Sequence, residues 1–425
     1  MGWLRTTSII GLLALGAGTV SAQTKPATKP APKQVVTGPV ATYWMSAQTS
    51  SGFGAGMMGG KKPSMGAMMS MMTGGGGGAQ HSLILQLGSS RKATGSPQAE
   101  HLPPQGLGAG ASLPLLTPVS EPSQRTEEAP AMPREYQRPK GRMLIFWGCG
   151  DQARPGQPVV LDFAQMAAGK VPPGLAALGQ SLAITPMQPP SPGRNATYGE
   201  WPNAKTRTTV PSQASLVGQH TIQGNYSPNI QFGLSQSQDF LAPLQLTTNT
   251  MGPMGSAVLG WNAVPGAQAY LASAVGGGEG GGGQVDLVLW TSSEVQASAF
   301  ALPDYLSNGD LTRLVASKAL LSPQTTRCAV PKEVMAAAPH ALVQLSAYGA
   351  ETNLSYPARP ADPRTPWNID WTVKVRYKSQ TGAILGMEMP DGGRQGPRPG
   401  QPPPKRPSIG GSILRGVLSG QIPGN

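Results

Sequence analysis

Apolar residues in this chain fall in short runs or at every second position. TYWMSAQT (42–49), HSLILQLGSS (81–90), GRMLIFWGCG (141–150) and QPVVLDF (157–163) are apolar or β-branched runs bounded by Gly, Pro or Ser. That pattern predicts strands rather than helices. Ile230, Phe232 and Leu234 alternate with Gln231, Gly233 and Ser235, which gives one buried and one wet face. Further strands are expected at 214–227, 241–248, 257–275, 285–293, 325–331 and 341–350. In 369–379, Trp371, Val373, Val375 and Tyr377 alternate with Thr372, Lys374, Arg376 and Lys378. The alternation predicts a half-buried edge or outer strand with a basic face. Helical spacing is confined to LTRLVASKALL (311–321), where Asp310 is the expected N-cap, and to one turn in FAQMAAG (163–169).

Between these runs the composition changes. The 425 residues include 57 Gly and 44 Pro, close to twice the average share of about 12% for the two together. Charged residues are 12%, about half the usual fraction. The excess excludes a coiled coil or an ordinary all-helical enzyme and divides the chain into segments. Residues 23–39 read as a disordered Pro/Lys leader, 51–80 and 91–140 as disordered insertions, and 381–425 as a disordered basic tail. The composition shift at 249–256 predicts a boundary. The expected fold class is therefore all-β: two antiparallel β-sandwich-like domains, 40–250 and 251–380, with Gly/Pro/Met-rich disordered insertions and a short helix.

Trp261-Asn-Ala-Val-Pro-Gly-Ala-Gln-Ala-Tyr270 resembles the segment joining the second and third strands of fibronectin type III-like domains. ALVQLSAYG (341–349) is similar to a later strand of that family. The resemblance covers about 256–378 and implies that Trp261 packs in a sandwich core and that Tyr270 opens the facing strand. It implies an interaction or spacer module rather than intrinsic chemistry. The sequence departs from the family in the glycine-rich insertion at 276–283, the helical insert at 304–321, and a Leu where the later strand usually has an aromatic.

Arg5, the apolar Ile9–Ala17 and the small residues Val20-Ser21-Ala22 form a signal-peptide pattern over 1–22. The apolar run is shorter than the ~20 residues a membrane helix needs. Export to a periplasm or the extracellular space is expected, with no transmembrane segment after signal removal. The net charge is +12, but the basic residues are scattered. They make a solvated basic surface or a site for an anionic polymer, with no specific nucleic-acid motif. The two cysteines, Cys149 and Cys328, are either a disulfide or two buried thiols.

Signals for chemistry are few. Met57, Met58, Met65, Met68, Met69, Met71 and Met72 crowd one insertion. Thioethers are soft ligands suited to Cu(I); the plainer reading of the same residues is a low-complexity insertion whose methionines hold no ligand. Gly54-Ala-Gly56-Met-Met-Gly59 spells the dinucleotide glycine pattern, but no helix pattern follows it, so no cofactor is expected. His81, His101, His220 and His340 have no zinc spacing. Asp151 lies near enough to Cys149 in sequence to orient a thiolate. Asn195, Asn225 and Asn353 begin glycosylation sequons. These observations point to an exported, non-enzymatic cell-envelope protein, structural or binding, with an envelope protein or anionic polymer as partner. The alternatives are soft-metal binding through the Met-rich insertion and an enzyme with an unfamiliar site.

Overall fold

A computed structural model describes residues 34–52, 78–118, 141–170, 187–280, 284–296 and 302–387, together with 182 and 184. The signal-peptide pattern, the seven clustered methionines and Gly54–Gly59 lie outside these residues. So do most of the leader, most of the tail and residues 119–140.

The chain begins with β1 (Val36–Thr37), β2 (Ala41–Gly52), β3 (Gln80–Ser89), β4 (Ala99–Leu102) and β5 (Leu113–Pro114). Next come β6 (Arg142–Trp147), β7 (Val159–Asp162) and a one-turn helix, α1 (Phe163–Ala167). β8 (Thr197–Trp201), β9 (Gly218–Gly224), β10 (Ile230–Leu234), β11 (Leu246–Met251) and β12 (Ala257–Trp261) follow. The remainder runs β13 (Ala267–Gly280), β14 (Gln284–Thr291), α2 (Asn308–Ala316), β15 (Arg327–Val330) and α3 (Lys332–Ala337). It ends with β16 (Leu342–Gly349), β17 (Thr352–Tyr356), β18 (Trp367–Asn368) and β19 (Trp371–Ile384). Strand is 43% and helix 9%, so the protein is all-β.

Ten strands make one sheet in the order β7-β6-β14-β13-β16-β19-β2-β3-β8, with β17 also paired to β19. A three-stranded sheet runs β11-β12-β15, a four-stranded one β10-β9-β4-β5, and β1 pairs with β18. β6 on β14, β2 on β19 and β1 on β18 are parallel; the other strand pairs are antiparallel. The large sheet takes strands from both sides of the composition shift at 249–256. β14 and β19, from beyond it, are hydrogen-bonded to β6 and β2, from before it.

One buried cluster collects side chains from the ten-, four- and three-stranded sheets, including Tyr43, Leu85, Ile222, Phe232, Leu259, Trp290, Leu345 and Val375. Each Leu- or Phe-sized side chain so buried contributes about 1.5–3 kcal/mol relative to exposure. The alternation at 230–234 is realised, with Ile230, Phe232 and Leu234 buried and Gln231 and Gly233 exposed.

Several expectations are corrected. The stretch 91–140 is not wholly an unstructured insertion: β4 and β5 pair with each other and β4 pairs with β9. Leu107, Leu113 and Leu115 are each buried to 1% exposure or less. Its Gly and Pro residues make turns between short strands rather than a loose loop. Residues at the ends of the leader and tail are also ordered, in β1 and at the end of β19. β19 is an interior strand, paired to β16 and β17 along one side and to β2 along the other. The α2 N-cap is Ser307, whose side chain accepts from the Asp310 amide, and Asp310 is the third helical residue.

The glycine stretch from 276 is not an insertion at its start, because β13 continues through it to Gly280. A Cβ on Gly278 would lie 2.1 Å from the Ala337 carbonyl oxygen, so α3 approaches β13 closely only over glycine.

Candidate functional site

Two assemblies of charged and titratable side chains stand out among the described residues. The first is the even-numbered face of β19. Register sets Lys374, Arg376 and Lys378 opposite Trp44, Ser46 and Gln48 of β2. The Arg376 guanidinium lies 4.7 Å from the Trp44 ring centre and 4.5 Å from that of Tyr305, so it is held against two aromatic rings. Its Nε and Nη2 donate to Ser46 Oγ at 3.1 and 2.5 Å. Lys374 Nζ is 5.5 Å from the Trp44 ring centre and 2.5 Å from Glu351 Oε2. Lys378 is 4% exposed and donates to Asp304 Oδ1 at 2.8 Å, with the Tyr305 ring centre 5.6 Å away. Burial pushes the Arg376 pKa down, opposed by Tyr305, Glu351 and Asp304, and burial pushes the Tyr305 hydroxyl up. Each of the three cations has a described partner. The assembly therefore joins β2, β19 and the segment before α2, with about 0.5–2 kcal/mol for each cation–ring contact according to its desolvation.

The second is a chain of buried rings at the junction of β2, β4 and β9. Tyr43 Oη is 3.1 Å from His101 Nδ1, His101 Nε2 is 2.9 Å from His220 Nδ1, and His220 Nε2 is 2.7 Å from the Leu216 carbonyl oxygen. A carbonyl only accepts, so His220 Nε2 carries a proton and its Nδ1 accepts from His101 Nε2–H. His101 Nδ1 in turn accepts from the Tyr43 hydroxyl. Both imidazoles are thus neutral and protonated at Nε2. Both are 0% exposed. Burial, reinforced by His220, holds His101 well below its ordinary pKa; burial also lowers His220, opposed by the Leu216 carbonyl. His220 stacks on Phe232 at 4.9 Å and 4°. The relay ends at the Leu216 backbone carbonyl and ties β2, β4 and β9 together.

The other sequence-selected residues are spread over the molecule. Cys149 and Cys328 form a disulfide with Cα atoms 5.2 Å apart, joining the chain just after β6 to β15. That leaves no thiolate for Asp151, whose carboxylate accepts from Ser256 Oγ at 2.6 Å. His81 stacks on Phe240 at 4.1 Å, with its Nδ1 buried and unpartnered. His340 is exposed. Asn225 Nδ2 donates to the Thr94 and Ser96 carbonyls while its Oδ1 accepts from the Gln98 amide, so its amide holds a loop. Asn195 Oδ1 accepts from the Ser191 amide, and Asn353 is exposed with Nδ2 donating to Glu351. Among the described residues no three His, Cys, Asp or Glu gather as metal ligands, and no helix is long and apolar enough to cross a membrane.

Among the described residues, open depressions of about 280 Å³ lie beside Tyr198 and Asn195 and over β11 and β12 beside Arg327. Both polar assemblies escape a sequence reading because their members are far apart in the chain. The basic alternation in β19 is the one local signal that marks either of them. Comparison with protein-family models, curated proteins and solved structures finds no match to this chain.

Proposed function

We propose that the protein is an exported, non-enzymatic module of the cell envelope, structural or binding, on a β-sandwich whose C-terminal part is fibronectin type III-like. The observation that carries export is the Cys149–Cys328 disulfide, since such bonds persist in oxidising compartments. The signal-peptide pattern at 1–22 agrees with it.

The sandwich reading draws on connectivity. β11-β12-β15 and β14-β13-β16-β19 are separate sheets. Between them lies the Trp261–Tyr270 motif, which begins at the end of β12 and finishes in β13. Both rings are buried to 3% exposure or less, with centres 5.8 Å apart. The Val264 amide donates to Tyr270 Oη at 2.8 Å, fixing the bend between the sheets. Such a module offers sheet faces to a partner, and an envelope protein or an anionic polymer suits a chain of net charge +12.

The test is cell fractionation with thiol alkylation of the full chain, followed by pull-down from envelope extract. The expected result is an exported chain with no alkylatable cysteine, recovering partners above a tag-only control. A chain retained in the cytoplasm with two free thiols would refute export; recovery equal to the control would refute the binding role.

A further inference from the structure

Among the described residues nine large apolar side chains are exposed, and three of them are methionines near one corner: Met251 at 51%, Met254 at 50% and Met387 at 41%. Met251 ends β11, Met254 sits three residues on in the turn to β12, and Met387 follows β19. The corner is rigidly built. Asn249 Nδ2 donates to the Ile384 and Met387 carbonyls at 2.7 and 2.9 Å, and its Oδ1 accepts from the Gly386 amide at 2.9 Å. One side chain thus clamps the end of β19 onto β11.

Gly386 makes room for sulfur. Its φ is +71°, and a Cβ there would meet Met251 Sδ at 2.8 Å and Met335 Cε at 3.5 Å. Met251 from β11 and Met335 from α3 therefore come together over the backbone of Gly386, next to Met387. Met335 is 6% exposed and floors the corner.

We propose that this corner is a soft-metal site in which the thioethers of Met251, Met335 and Met387 bind a monovalent d10 cation, Cu(I) or its redox-inert analogue Ag(I). Met254, three residues after Met251 in the turn to β12, is the fourth methionine near this corner. The chemistry follows from ligand type: thioethers are neutral, soft donors that favour Cu(I) over hard cations. They carry no titrating proton, so binding has no protonation competitor of the kind that weakens His or carboxylate sites in acid. No electron or bond transfer is involved. None of these ligands belongs to the methionines clustered at 57–72 of the sequence.

The probe is Ag(I), titrated into the full chain with Met57, Met58, Met65, Met68, Met69, Met71 and Met72 replaced by Leu and with 13C-labelled methionine methyls. One equivalent should shift the Met251, Met335 and Met387 methyls, with the same affinity at about pH 5.5 and 7.5. Adding Met251→Leu and Met387→Leu, which keep volume at exposed positions, should weaken binding about tenfold or more without moving the thermal midpoint. Methyls that stay unshifted at equimolar Ag(I), or a doubly substituted chain that binds like its parent, would overturn the proposal.

Discussion

Removing the His101–His220 pair should flatten the acid limb of the stability curve. Burial holds both imidazoles below the ordinary value of 6.5. Between the folded and unfolded pKa values the unfolded chain then binds more protons than the native one. Stability therefore rises with pH through that window and is lost as pH falls below about 6.5. Each such histidine contributes a slope of up to about 1.36 kcal/mol per pH unit. Between about pH 7.5 and 5.0 that slope sets a ceiling of about 2 kcal/mol for each histidine and about 4 kcal/mol for the pair, with His101, the more strongly lowered, contributing the larger share. With an m-value of about 3 kcal/mol/M the urea midpoint should fall by up to about 1 M.

The assay is urea unfolding of the parent and of the His101→Gln, His220→Gln double variant across that range. The variant should be less stable at neutral pH, because the relay's donors and acceptors are no longer matched, yet lose less stability on acidification, by up to about 4 kcal/mol. His81, also lowered by burial, is present in both proteins and cancels. Parallel pH dependences would refute the argument. Imidazole 15N shifts on the unmodified protein give a second check: both rings should titrate below the ordinary value of 6.5, and titration of either at or above it would be fatal to the argument.

Three further outcomes follow from geometry. Replacing Cys149 and Cys328 together by Ser removes a cross-link spanning 179 positions and should cost up to about 5 kcal/mol in the chain-entropy picture; an unchanged urea midpoint would contradict it. Gly278→Ala drives a methyl to 2.1 Å from the Ala337 oxygen and should cost about 1–3 kcal/mol through displacement of α3, read by thermal unfolding, with no loss if α3 does not rest on β13. Arg376→Lys keeps the charge but gives up the planar stack between Trp44 and Tyr305; a loss of about 1 kcal/mol or more is expected, and a midpoint equal to the parent's would dismiss the stack as a stabilising contact.

Local periodicity made the strands legible, and the reason is physical: alternation in Ile230–Leu234 or Trp371–Tyr377 reports pleat geometry whatever the partners are. Partners are another matter. β2 and β19 pair in parallel across some 330 positions, from Ala41–Trp371 to Gly52–Gly382, and nothing local encodes that register. The same distance hid both polar assemblies, since His101 and His220 lie 119 positions apart and the rings that cover Arg376 come from β2 and from the segment before α2. His101 was further masked by the Gly and Pro of 91–118, which look like loop composition yet serve as turns between paired strands.

The error over β19 shows how periodicity and exposure come apart. Lys374, Arg376 and Lys378 alternate with buried residues, and charge on the second face ordinarily means water. Here Trp44 and Tyr305 supply aromatic cover while Glu351 and Asp304 supply countercharge. Lys378 can be 4% exposed only because its ammonium is paired and its stem lies along other side chains. Alternation fixes which side chains share a face. Whether that face is wet depends on residues elsewhere in the chain, which is why a basic strand in this sequence sits inside the sheet rather than at its edge.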